Sequence, residues 1–354
     1  MPNVKFRASG RTLTSHAGLS LIGQCLETAG VDSIDSHFPT TLGMRNSDVV
    51  KSYLGLLCLG MSDYDAIENF RRDTPFQQLL TLQKVPSTAT LRQRMEKLAA
   101  NDLQAHVATW SSTLLSLAGA PITPDKDYVC LDIDTFVMDN SNSKKEGVSR
   151  TYQKVDGYTP IAAYLGNEGW CLGLELRPGK QHTMKESNAF LERVLPRAQG
   201  LTEQPILLRE DSGFDSQAHL ALLERQRQAF AEAGRRLDYL VKWNPRDSAK
   251  TDLDLERLPS GKFATNNLIL HLAQLAYNIL RLMGQLGMTG ELSPVRHPAK
   301  RRRLRTVLQE LVHRAAVVIH KARQIILDFG QDIGRMTVLN TLRSRLRYPR
   351  GSPC

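Results

Sequence analysis

Residues 128–137 read YVCLDIDTFV. The run is apolar and β-branched, of strand length, and carries two aspartates at its centre. Asp132 and Asp134 lie two apart, so on a strand they project to the same face. Acidic side chains inside such a run are unfavourable unless paired, and two on one face also repel each other. A bound divalent cation is one arrangement that relieves both penalties. The alternative is that one of the two sits in solvent at the strand end.

Two more strand-like runs follow, GYTPIAAYLG at 157–166 and GWCLGLEL at 169–176. Their short separation predicts an antiparallel meander. A helix is expected over 184–197, with Phe190, Leu191 and Val194 on one side. PILLR at 205–209 reads as a short buried strand, 215–233 as a helix, and LDYLVKW at 237–243 as another strand. A mixed sheet with helices on its faces accommodates three strands, helix, strand, helix, strand, which is the ribonuclease H-like order. The expected fold class is therefore α/β, a ribonuclease H-like mixed sheet with flanking helices.

Upstream, apolar positions recur at helical spacing over 19–26, 49–59 and 103–117, predicting a mostly helical N-terminal region. Ser87 is placed to cap a helix with Leu91, Met95 and Leu98 inward and Arg92, Arg94 and Lys97 outward. Two short helices meeting near Pro86 allow a helix-turn-helix; a plain helical bundle fits equally well. Downstream, 263–286 is the longest apolar segment, but Asn266, Asn267, His271, Gln274, Asn278 and Arg281 argue against a membrane span. Its leucine and isoleucine spacing predicts one apolar stripe of an amphipathic helix. Trp170 and Trp243 read as core or interface residues.

A second constellation, Arg209-Glu210-Asp211-Ser212-Gly213-Phe214, follows the PILLR strand at its carboxyl end, where open α/β sheets bind ligands. If that strand neighbours the first, Asp211 meets Asp134 across roughly 5 Å. Two carboxylates so placed suit Mg²⁺ or Mn²⁺ rather than zinc. Gly213 is expected to allow a sharp turn there. Ser212 lies in no G-x-S-x-G elbow.

The chain of 354 residues carries 46 Lys and Arg against 36 Asp and Glu, a net charge of +10. From Glu291 onward there are 14 basic and 4 acidic residues, so the last 64 positions hold the whole excess. Lys300, Arg301, Arg302, Arg303 and Arg305 form its densest block. Such a block implies a polyanionic partner, with nucleic acid the usual one. The arginines are not interleaved with a broad apolar face, which disfavours a membrane surface. Lys144, Lys145, Arg150 and Lys154, between the first two strands, are further candidates for phosphate contact. The five cysteines are scattered and form no CxxC pair, which excludes a zinc ribbon and fits a reducing compartment. No signal peptide is visible.

Three segments together, LDIDTFVMDNSNSKKEGVSRTYQKVDGYTPIAAYLG, LLREDSGFDS and KTDLDLERLPSGKFATNNLILHLAQLAYNILR, resemble the DDE transposases of bacterial insertion sequences, most closely the group numbered thirteen-eighty. The resemblance implies a catalytic domain holding two Mg²⁺ or Mn²⁺ ions by an Asp, Asp, Glu triad. It implies hydrolysis and strand transfer at transposon ends, with double-stranded DNA of the terminal repeats and the target as partner. It also implies a bacterial, nucleoid-associated location and a homodimer, or a mixed dimer with an intact transposase. The first Asp matches Asp134, with Asp132 the fallback, and the second matches Asp211; all three are candidate metal ligands.

The third carboxylate departs from the pattern. In the family it lies in a helix reading Tyr, two residues, Arg, three residues, Glu, six residues, Lys. With Lys250 as that Lys, the three earlier positions are Arg236, Tyr239 and Trp243, and none matches. Only 39 positions separate Asp211 from Lys250, where family members carry a long additional segment. This implies an internal deletion that removed the catalytic Glu, with Glu256, Asp254 or Asp252 as substitutes. The expected division is a helical, DNA-binding region over 1–120, a shortened catalytic domain over 121–290, and a basic region over 291–354.

Overall fold

The computed structural model describes residues 10–40, 43–101, 103–241, 258–289, 301–321, 324–330 and 333–347. After a short strand β1 (Thr12–Thr14), the N-terminal part is built from α1 (Leu19–Ala29), α2 (Asn46–Cys58), α3 (Thr74–Leu79), α4 (Thr88–Ala99) and α5 (Leu103–Leu117). The Ser87 hydroxyl caps α4 by accepting from the Thr90 backbone N–H at 3.2 Å, and Leu91, Met95 and Leu98 are buried beneath it. Arg94 departs from expectation. Its guanidinium turns back to the Asn46 side-chain oxygen and the Met44 carbonyl, tying α4 to the start of α2.

The central sheet contains β2 (Val129–Thr135), β6 (Ile161–Leu165), β7 (Trp170–Glu175), β8 (Ile206–Glu210) and β9 (Leu237–Val241), in the order β7-β6-β2-β8-β9. The first three in sequence are antiparallel, whereas β8 runs parallel to both β2 and β9. Two helices interrupt the later strands, α6 (Ser187–Gln199) before β8 and α7 (Gln217–Glu232) after it. Phe190, Leu191 and Val194 of α6 are buried, and the Ser216 hydroxyl caps α7. Every side chain of β2 is buried, as expected of a strand at the middle of a covered sheet. A small second sheet, in the order β3 (Met138–Asp139), β5 (Asp156–Tyr158), β4 (Ser149–Arg150), continues from the carboxyl end of β2. Nothing in the sequence pattern announced it, because its strands are only two or three residues long.

Helix α8 (Phe263–Gly287) corrects the single-stripe reading, since it is buried on nearly all sides. It packs against α2, α4 and α5 on one side and β7 on the other. Its polar residues at 267, 274 and 278 satisfy the outer edge of β7. The Asn278 amide accepts from the Cys171 N–H at 2.9 Å and donates to the Cys171 carbonyl at 2.7 Å. Gln274 donates to the same carbonyl, and Asn267 accepts from the Leu176 N–H. An edge strand so covered cannot pair with another chain. Trp170 is fully buried and donates to the Pro121 carbonyl, as its core assignment requires. Trp243 lies outside the described residues.

The basic C-terminal region is folded onto this core. A helical turn at Leu304–Val307 packs on α8, and a second at Leu308–Val312 continues from it. Strands β10 (Ala316–Lys321) and β11 (Gln324–Asp328) form a hairpin, and β1 pairs with β10 antiparallel, Thr12 opposite Val318. Helix α9 (Ile333–Arg347) packs on α1 and α8. Among the described residues, no helix is long and apolar enough to cross a membrane.

Candidate functional site

Strands β2 and β8 pair in parallel with Asp132 opposite Arg209 and Ile133 opposite Glu210. The ladder ends at that pair, and Asp211, the first residue beyond β8, extends it by one rung toward Asp134 of β2. Two rungs on one face of the sheet therefore carry opposite chemistry. At the first, the Arg209 guanidinium grips Asp132 through two hydrogen bonds of 2.5 and 2.8 Å. The side chain of Asp132 is 2% exposed, and both its oxygens are engaged. The expectation that Asp132 ligates a metal meets a competing cation, a guanidinium already built into the neighbouring strand.

At the second rung no cation is supplied among the described residues. Asp134 accepts the Thr135 backbone N–H through Oδ1 at 2.7 Å, and Asp211 accepts the Gly213 N–H through Oδ1 at 2.8 Å. Neither Oδ2 has a hydrogen-bond partner among the described residues. Burial pushes the Asp134 carboxyl up to about 7, with the Asp211 charge adding to the rise and the Thr135 N–H opposing it. Gly213 serves by its small size rather than by an unusual backbone angle, since its φ is not positive. A Cβ there would lie 2.9 Å from Asp211 Oδ1 and 3.2 Å from the Thr183 side chain. Thr183 approaches the Thr135 hydroxyl at 3.4 Å from the other side. The loop carrying Thr183 is anchored by the buried Arg177, which donates to the Thr183 carbonyl and the Ser187 hydroxyl. Exposed His182 accepts from the Met184 N–H.

Beneath the site, on the opposite face of β8, lies a feature the sequence reading missed. Glu210 and His219 are each 1% exposed. His219 Nε2 meets Glu210 Oε2 at 2.7 Å, and its Nδ1 meets Asn188 Oδ1 at 2.7 Å. This trio links β8, α7 and α6 directly behind Asp211. The spacing of nine from Glu210 to His219 was its only sequence trace.

Glu256, Asp254, Asp252 and Lys300 lie outside the described residues. Among those described, no group of three or more His, Cys, Asp or Glu side chains is placed to hold a metal. Of the basic candidates, Lys144, Arg303 and Arg305 are exposed, and Arg301 and Arg302 are half-buried. Arg302 donates to the Met288 carbonyl, and Lys145 donates to the Leu258 carbonyl. These two side chains thus hold backbone oxygens.

The profile of the family described as Transposase DDE domain, group 1, matches residues 1–233, more than half of the chain. The chain belongs to that transposase family. No curated protein matches it. Among solved structures it is similar to the piggyBac transposase synaptic complex with hairpin DNA, at 11% identity and a TM-score of 0.29. That alignment covers 68% of this chain and 55% of the other, so the chain spans about half the length of the structure it matches. So loose a likeness carries no structural argument.

Proposed function

We propose that this transposase-family chain is a metal-dependent DDE transposase of a bacterial insertion sequence, of the group numbered thirteen-eighty, impaired by its internal deletion. The strand order of the central sheet, with three antiparallel strands followed by two parallel ones, supports the ribonuclease H-like reading. The single observation that carries the chemistry is the Asp134–Asp211 rung. Two carboxylates at the carboxyl ends of adjacent parallel strands each keep one oxygen fixed by a backbone N–H and the other without a hydrogen-bond partner among the described residues. The donor set fits a hard divalent ion, because both donors are carboxylate oxygens. Asp134 and Asp211 would hold Mg²⁺ or Mn²⁺, which supplies Lewis-acid activation of a phosphodiester. The chain's own part is to hold the two oxygens rigidly, through the Thr135 and Gly213 amides, and to keep the pocket partly dry. Glu256 is the candidate third carboxylate, and 121–290 the shortened catalytic domain. The 1–120 helical region and the basic 291–354 region, with Lys300, Arg301, Arg302, Arg303, Arg305, Lys144 and Lys145, would engage the terminal repeats. A homodimer or a mixed dimer with an intact transposase is the proposed assembly.

The test is nicking of DNA carrying the element's ends by purified protein with Mg²⁺ or Mn²⁺. Asp211→Asn should abolish cleavage and spare DNA binding; equal cleavage by this variant would remove Asp211 from the site. A second reading, a DNA-binding remnant that inhibits an intact transposase, is favoured by the sequence at the third carboxylate, where Arg236, Tyr239 and Trp243 stand in place of Tyr, Arg and Glu. Binding without nicking under either metal selects that reading.

A further inference from the structure

The small sheet β3-β5-β4 grows out of the chain directly after β2, so it stands at the carboxyl end of the strand that carries Asp134. Its outer hairpin, 149–158, is firmly held. Thr151 donates to the Val155 carbonyl through both its N–H and its hydroxyl, at 2.9 Å each. The Lys154 N–H returns to the Thr151 carbonyl, closing a tight tip at which Lys154 takes a φ of 61°. At the base, the Ser149 hydroxyl accepts the Lys180 N–H. Only glycine fits at 157, since a Cβ there would run into the Met138 carbonyl.

A rigid tip of this kind presents its side chains in fixed places. Tyr152 is 65% exposed, the joint largest exposure among the bulky apolar side chains of the described residues. Arg150 and Lys154 flank it and are exposed. Arg150 reaches Asp156 only loosely, at 3.6 Å and in solvent. The charges of Asp134 and Asp211 both bear on the Tyr152 phenol, raising its proton affinity after the larger effect of partial burial. The Ser149–Lys180 bond also ties the hairpin to the segment whose Thr183 reaches Thr135 and the turn at Gly213, so the hairpin stands beside the two-aspartate pocket. An isolated exposed tyrosine is unremarkable on a protein surface. An exposed ring on a stiffened hairpin, between two cations and at the rim of a carboxylate pair, matches what a single-stranded nucleic acid requires. Bases stack on aromatic faces while Lys and Arg follow the phosphates.

Resting on the DNA-handling function above, we propose that Tyr152 is a stacking platform for a base of the strand that enters the Asp134–Asp211 pocket, with Arg150 and Lys154 holding the adjoining phosphates. The ring face makes the contact, so the hydroxyl is dispensable. The proposal is tested by fluorescence anisotropy of the full chain with a short labelled oligo-dT and with a duplex of the element's ends. EDTA is present throughout, so cleavage plays no part. Tyr152→Ala should weaken oligo-dT binding about tenfold, and Tyr152→Phe should stay within about twofold of the parent. Arg150→Ala with Lys154→Ala should flatten the dependence of affinity on salt. Unchanged melting temperatures would show that each variant is folded, as expected for exposed positions. Oligo-dT binding by Tyr152→Ala equal to the parent overturns the proposal. A Phe variant as weak as the Ala variant also overturns it and assigns the contact to the hydroxyl. A parent that binds duplex ends but not oligo-dT overturns the stacking role and leaves the DNA function standing. A parent that binds neither removes the function reading, and the platform falls with it.

Discussion

Two rungs of the β2–β8 ladder, separated by a single residue, answer the same problem in opposite ways. Asp132 is buried against Arg209, and the pair neutralises itself within the sheet. Asp134 is nearly as buried, yet its neighbour across the ladder is a second carboxylate. The first rung is complete without any ligand. The second is complete only with a proton or a cation, and the folded chain keeps it in that unsatisfied condition at the strand ends, where a ligand can enter. Strain retained beside a compensated copy of the same residue type is what a functional site looks like when the rest of the sheet is built for stability.

The largest expected effect tests the first rung. Arg209→Ala would leave the Asp132 carboxylate, 2% exposed, without its cation. Breaking a buried pair from one side typically removes about 3–5 kcal/mol of stability. Replacing both partners together, Asp132→Val with Arg209→Leu, should recover most of that loss, because no buried charge remains. Urea unfolding of the two variants measures both quantities. A single-variant loss below about 1 kcal/mol would mean that the first rung is not structural, and the contrast between the rungs would disappear.

Much of this was legible beforehand, and the parts that were not have identifiable reasons. The strands at 129–135, 161–165 and 170–175 carry strong β-branched and apolar signals, and the chain folds there as they imply. The adjacency of Asp134 and Asp211 followed from supposing two strands to be neighbours. The same supposition, carried one rung back, places Arg209 opposite Asp132, since D-x-D faces R-x-D. That step depends on the pairing register, which no local pattern fixes across some seventy intervening residues. In α8, Asn267, Gln274 and Asn278 counted only against a membrane span. Their use became visible once β7 proved to be an edge strand needing partners for its outer N–H and C=O groups. In the basic region, the density of arginine drew the reading toward charge and away from the β-branched run AVVIHK that forms β10. Tyr152 sits in a tight loop, where periodicity has nothing to register.

The second prediction sharpens the unsatisfied rung. The Asp134 carboxyl titrates at about 7 in the folded chain, against an ordinary value of 3.8. The folded state therefore holds the proton more tightly than the unfolded state. Stability contributed by that proton is fully present below about pH 4 and is lost as the pH rises through about 7. Asp134→Asn cannot ionise and escapes the loss. The variant should match the parent near pH 4 and exceed it at pH 8 by on the order of 2 kcal/mol, read from denaturant midpoints across that range. An asparagine variant no more stable than the parent at pH 8 would show that Asp134 ionises freely, and that the second rung is under no strain.

The smallest expected effect is the most specific. If the second rung is completed by a divalent ion, Mn²⁺ should stabilise the folded chain by mass action. With one ligand set of only two carboxylates the affinity is expected to be weak, so millimolar Mn²⁺ should add about 1 kcal/mol, a shift of a few degrees in melting temperature. The gain should grow between pH 6 and pH 8, because the ion competes with the proton on Asp134. Asp134→Asn and Asp211→Asn should each abolish it. The double replacement at the first rung, Asp132→Val with Arg209→Leu, should keep it, since that rung already contains its cation. Loss of the Mn²⁺ shift in this last variant, with the fold intact, would couple the rungs and place Asp132 back among the metal ligands. Retention of the shift, alongside its loss in the two asparagine variants, would locate the ion between β2 and β8 at their carboxyl ends and nowhere else on the acidic surface.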